Sequence, residues 1–345
     1  SSEANVVTSS CLSHDLISFC SVILKNNGCA QVALWVANQI SLIFIWCTSS
    51  ILSSVLFCAG RRAMVNKLWC QGARKWLQKK EELPPARLFS EPNFQPHTFT
   101  WYLLYRWLIF VAWASIIVCS IFEFGSYQPL VAYDKWPIYL TNWDLVLGLC
   151  QSLVGGLVVL KRWRLQRISG FDPSTLRLDT LERVYWFLFV VTTTIALGVT
   201  ASYWSSVYDP KKHFLDPLNI MLHVCNSILM VVDLCVTNIP FRIRNFWWCL
   251  TIVFLYIVFS LIYFAAGGVD KHGYHYIYKI LDWKRPLPTL LICAGEILFV
   301  TAVHAILCLL SRFRDQFCEK YVNRSQKSHD IQNEQTAAQK SADIV

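Results

Sequence analysis

Ionisable and amide side chains inside long apolar stretches are costly in lipid, so they mark where a membrane protein could do chemistry. Two sets stand out. Asn219, His223, Asn226, Met230 and Asp233 recur at steps of four, three, four and three, which places them on one helical face. Thr141, Asp144, Gly148, Gln151 and Gly155 form a similar stripe, with Asn142 beside it. Hydrocarbon solvates neither stripe, so the two should face each other or a shared wet cavity.

The pair with the clearest chemical meaning is Thr141 and His223. Thr141 lies in the first turn of its span and His223 six residues after Pro217. At about 1.5 Å per residue, the two are expected within roughly 10 Å of each other in depth. First-turn backbone N–H groups have no intrahelical partner and can stabilise an oxyanion. A hydroxyl, an imidazole base and open amides are the parts of an acyl-transfer site, with Asn219, Asn226 or Asp144 to orient the imidazole. A structural reading competes: a membrane Thr commonly bonds its own helix, and Asp144 and Asp233 could join helices or pair with Arg. Glu123 and Glu296 are weaker candidates, and His304, with no obvious partner, reads as a packed or inner-leaflet residue. His213, His272 and His275 lack metal-ligand spacing, so neither a metal site nor a cofactor is expected.

The elements that must position these residues are apolar helices. Of 345 residues, 55% are hydrophobic and only 15% charged, and mean hydropathy is +0.40. Soluble domains carry roughly a quarter charged residues. The deficit excludes a disordered or nucleic-acid-binding chain and argues against a water-soluble enzyme. The apolar residues fall in blocks of about 20, the length that crosses a bilayer. Six spans are expected near 101–124, 139–160, 184–204, 217–238, 246–267 and 288–310, forming an all-α, polytopic membrane bundle. Asp216-Pro217 reads as an N-cap followed by a first-turn proline. Trp101, Tyr102, Trp136, Tyr139, Trp143, Trp247 and Trp248 mark the span ends, as interfacial aromatics do.

Basic residues orient the bundle. The stretches 60–88, 161–183, 242–244 and 312–340 carry eight, six, two and six Lys and Arg; the alternate loops carry one, two and four. The positive-inside rule then puts both ends of the six-span core in the cytoplasm, at the plasma membrane or endoplasmic reticulum. The net charge of +9 reflects those loops rather than an acidic partner. The sequon Asn323-Arg324-Ser325 would be cytoplasmic and unused.

We read residues 1–63 as an N-terminal extension, either an extra span near 40–59 or a translated leader before Met64. Residues 64–100 form a basic cytoplasmic segment, 101–311 the six-span domain, and 312–345 a partly disordered cytoplasmic tail. The 14 cysteines show neither a disulfide framework nor a zinc pattern. Cys70 and Cys318, beside basic residues, are candidate palmitoylation sites.

Several segments carry a resemblance: Tyr139-Leu140-Thr141-Asn142-Trp143-Asp144, Tyr203-Trp204 with Tyr208, Asp216 through Asn219 to His223 and Asn226, Asp233, and Ile277 through Trp283. There the chain resembles the rolling stone family, six-span membrane proteins linked to myoblast fusion in insects. The likeness covers roughly residues 88–314. More distantly, the positions of Thr141 and His223 are similar to those of the nucleophile and histidine of the androgen-induced membrane hydrolases, which cleave fatty-acid esters of hydroxy fatty acids.

Three functions are therefore open. The first is a non-enzymatic role in cell fusion or differentiation. The second is a lipid-ester hydrolase using Thr141 and His223. The third is transport, which lacks the internal repeats many transporters show. The lipid bilayer is the expected partner, with a lipid ester as the substrate of the second.

Overall fold

The computed structural model describes residues 84–93, 95, 97–208 and 215–342, with side chains as far as residue 320. The expected extension over 1–63, Met64, Cys70, most of the basic segment and His213 lie outside the described residues. The chain divides into two units, and the helices below all belong to the larger one, Lys67–Val207 with Asp216–Val345.

Among the described residues, six helices are long and apolar enough to cross a membrane. They are α1 (Thr100–Ile121), α2 (Leu140–Leu165), α3 (Thr180–Ser202, continued by a π-turn at Tyr203–Val207), α4 (Pro217–Val236), α5 (Phe246–Ala265) and α6 (Pro286–Ala342). Among the described residues there is no β-strand, only an isolated bridge between Pro92 and Thr237. The fold is an all-α polytopic membrane bundle, as expected. Several helices outrun the apolar blocks. α2 continues through Lys161, Arg162 and Arg164, where cations favour a helix C-terminus. α3 begins with a turn that includes Glu182, where an anion favours the N-terminus. α6 keeps helical backbone to Ala342 in a stretch whose polarity pointed to disorder. Its Ala, Gln, Glu and Lys are strong helix formers, which polarity alone does not register.

α3 is the core helix. Phe189, Val190, Val191 and Ala196 are fully buried. Its threonines are tolerated there because Thr193 and Thr194 donate back to the carbonyls of Phe189 (2.6 Å) and Val190 (2.8 Å).

The loops segregate into two layers. On the basic side, the segment before α1 folds under the bundle. Phe89 is buried edge-on to Trp186, and Glu91 pairs with Arg162 at 3.2 Å. Burial pushes the Glu91 carboxyl up, against the pull of Arg162. Arg314 of α6 donates to the carbonyls of Leu234 (2.7 Å), Thr237 (2.8 Å) and Ile239 (3.2 Å). It thereby satisfies acceptors that the end of α4 leaves open. His304, expected to pack without an evident partner, is fully buried. Its Nε2 reaches the Arg242 carbonyl (3.0 Å) and its Nδ1 the Thr194 hydroxyl (3.3 Å). Cys318 is 4% exposed, which hides this candidate palmitoylation site.

On the opposite side, Tyr127 N–H donates to Asp216 (3.2 Å) and Lys271 N–H to Tyr139 (3.3 Å). Glu123, in the left-handed region at φ 52°, accepts from the amides of Leu130 (2.6 Å) and Val131 (2.9 Å). That makes it a loop staple.

Two glycines set how closely α1, α2 and α3 approach. The Trp113 ring fills the space a Cβ on Gly148 would occupy, and Arg106 and the Tyr185 ring do the same at Gly155. A Gly155→Val variant should lose about 1–3 kcal/mol, the usual cost of overpacking. The adjacent Gly156→Ala, whose Cβ would meet Trp107 at an ordinary 3.7 Å, should unfold at the wild-type temperature. Thermal denaturation of the detergent-solubilised protein measures both.

Candidate functional site

The two polar stripes do meet. On α2, Asp144 and Gln151 are fully buried; on α4, so are Asn226 and Asp233. Asn226 Nδ2 donates to Asp144 Oδ2 at 3.2 Å, and Gln151 Nε2 donates to Asp233 Oδ2 at 3.0 Å. The rungs are seven residues apart on both helices. Both helices run from the same side, so equal spacing keeps the rungs level, about 10 Å apart in depth.

The deeper rung contains a group the sequence reading missed. Arg106, on α1, pairs with Asp233 at 2.5 Å, and both side chains are 0% exposed. Tyr105 also donates to Asp233, at 3.1 Å, and Arg106 lies over the Tyr185 ring, 5.4 Å from its centroid. Asp233 thus receives a charged partner and two neutral donors, which an anion in hydrocarbon requires. Counting basic residues in loops alone passed over Arg106. It was legible as the one basic residue in the first apolar block.

The outer rung is electrically different. Asn226 Oδ1 accepts from Thr200 (3.2 Å) and from the Ser227 amide (2.6 Å). Thr200 and Ser227 hydroxyls are 2.7 Å apart, and Ser227 donates to the Ala196 carbonyl at 3.0 Å. Asp144 is joined to this neutral network through Asn226, and its Oδ1 has no partner among the described residues.

Above this rung lie the two residues with catalytic potential, in different surroundings. Thr141 is buried against Tyr278, whose hydroxyl accepts from the Leu140 amide at 3.1 Å and lies against the Thr141 hydroxyl and amide. The first-turn amides, expected to be open, are therefore occupied. Asn142 is held in place by donating to the Trp136 carbonyl (2.6 Å) and accepting from Ser120 (3.2 Å). His223 sits in a π-turn of α4, Met221–Cys225. Its ring stacks on Tyr203, in the π-turn that ends α3, with centroids 3.5 Å apart and planes at 1°. Asn219 donates to the Tyr203 hydroxyl (2.7 Å) and Trp204 to the His223 carbonyl (3.2 Å). Asp216 caps α4 as expected, accepting from the Asn219 amide at 2.7 Å. π-turns recur at functional sites, and here two of them oppose each other. Glu296, another sequence candidate, is only half-buried and accepts from Ser202 with both oxygens (3.3 and 3.2 Å).

The geometry is thus a polar seam with a charged inner rung, a neutral outer rung carrying one carboxylate, and an aromatic-imidazole cap. Asp233→Asn should cost about 3–5 kcal/mol, because it strands a buried cation. Replacing both partners, as Arg106→Met with Asp233→Leu, should recover most of that loss. Melting temperatures of the two single variants and the double variant complete the cycle.

Comparison with known proteins agrees with this architecture. The family described as "Protein rolling stone" matches residues 82–329. The Drosophila melanogaster protein named "Protein rolling stone" is 29% identical over 265 residues, covering 72% of this chain and 92% of that protein. No solved structure matches. The match takes in all the apolar helices and both rungs of the seam, so the chain belongs to the rolling stone family.

Proposed function

We propose that this protein acts as a non-enzymatic multi-pass membrane protein in cell fusion or differentiation, with its basic face in the cytoplasm. The observation that carries this reading is the engagement of the two reactive side chains. Thr141 lies against Tyr278 and His223 against Tyr203, so each contributes to packing. Family membership supports the cellular role. The lysines and arginines concentrated on one face support the orientation.

A second reading is a lipid-ester hydrolase, in which His223 takes the Thr141 proton and Thr141 attacks the acyl carbonyl. What favours it is that both residues are buried at the same end of the bundle, beside a carboxylate, Asp144, that accepts from Asn226. Against it stand the occupied first-turn amides.

Depletion of the protein from fusing myoblasts should reduce multinucleation. Wild type, Thr141→Ala and His223→Ala, expressed at equal membrane levels, should restore it equally. Undiminished fusion after depletion would remove the cellular role. Failure of Thr141→Ala alone, with fluorophosphonate labelling of wild type at Thr141, would replace the first reading by the second.

A further inference from the structure

We infer that Asp144, together with Thr200, Asn226 and Ser227, forms a binding site for a sodium ion in the half of the bundle away from the basic face. This site shares Asp144 and Asn226 with the second reading above and requires neither reading. The argument starts from charge. Asp144 is 0% exposed and lies in the second turn of α2, within a span. The side chain that donates to it is the neutral amide of Asn226. Among the described residues, no Lys, Arg or His forms a hydrogen bond or ion pair with it. The same bundle supplies a cation where one is needed, since Asp233 has Arg106. That cation is committed to Asp233 in the deeper rung, about 10 Å along α2 from Asp144. Between them the Trp113 ring covers Gly148.

An ionised carboxylate without a countercharge does not persist in hydrocarbon: it takes up a proton or pairs with a cation. The neighbouring atoms indicate what balances it. Asp144 Oδ1 is a buried oxygen with no partner among the described residues. The group linked to Asp144 is rich in oxygen and spans α2, α3 and α4: the Asn226 amide oxygen, the Thr200 and Ser227 hydroxyls and the Ala196 carbonyl. Ser227 directs its proton to Ala196 and Thr200 directs its own within the group, which leaves hydroxyl lone pairs free to ligate. Such hard, neutral oxygens suit alkali and alkaline-earth ions rather than zinc or copper. Charge selects between these two. The described residues contain no group of three or more His, Cys, Asp and Glu side chains placed to hold a metal ion. A single carboxylate neutralises a monovalent ion, whereas a divalent ion would leave net charge in the apolar interior.

The test uses the full-length protein, purified in detergent or nanodiscs and moved from N-methyl-D-glucamine chloride into sodium chloride at constant ionic strength. Wild type should show a saturable rise in melting temperature with sodium, because a ligand that binds only the folded state stabilises it. It should also bind radioactive sodium at a stoichiometry near one per chain. Asp144→Asn should lose both signals. Thr200→Val and Ser227→Ala should shift the sodium midpoint upward several-fold, and Ser202→Ala should leave it unchanged. If Asp144→Asn does not fold, the two hydroxyl variants and direct binding to wild type decide the matter. The proposal is overturned if wild type neither binds sodium nor melts differently in the two salts. It is also overturned if sodium stabilises Asp144→Asn as much as wild type.

Discussion

The structure depends on how two opposite charges are kept inside a low-dielectric bundle. Arg106 and Asp233 are fully buried and face each other from α1 and α4, with Tyr105 and Gln151 adding neutral donors. Separately, each would cost several kcal/mol to desolvate. Together they hold two helices at one register, and Gln151 brings in α2. The glycine at 155 is the steric counterpart of this pair, because a side chain there would occupy the guanidinium's place. Stability of the pair therefore rests on backbone approach as much as on charge.

Away from that pair the bundle changes character. The outer rung is held by amides and hydroxyls, and two helices loosen into π-turns at Tyr203–Val207 and Met221–Cys225. A π-turn widens the backbone locally and leaves its carbonyls less regularly paired. Trp204 uses one such acceptor, the His223 carbonyl. The stacked Tyr203 and His223 rings lie where the two distorted segments face each other. The charged rung and the aromatic cap are thus separate parts of one seam.

This division bears on the chemistry read from Thr141 and His223. Residue types suited to acyl transfer are present, but catalysis also requires a nucleophile open to its base and donors open to an oxyanion. At Thr141 the Tyr278 hydroxyl meets both the side chain and the first-turn amides. That contact comes from the loop before α6, more than a hundred residues away in sequence. Membership in the rolling stone family agrees with the architecture and leaves that local chemistry to the side-chain geometry.

By itself the sequence determined that the described part of this chain is a six-span membrane bundle with one basic face and two polar stripes. Apolar blocks of spanning length and the four-three spacing of Asn219, His223, Asn226, Met230 and Asp233 are local properties, and bilayer thickness and helical pitch translate them directly into structure. The meeting of the stripes was also legible, because lipid leaves buried polar faces no other partner. Tertiary structure alone decided which partners they found. Arg106 opposite Asp233, Thr200 beside Asn226, Tyr203 on His223 and Tyr278 on Thr141 each join residues remote in the chain. No periodicity specifies such pairs, since they follow from how the helices pack and where π-turns shift the register.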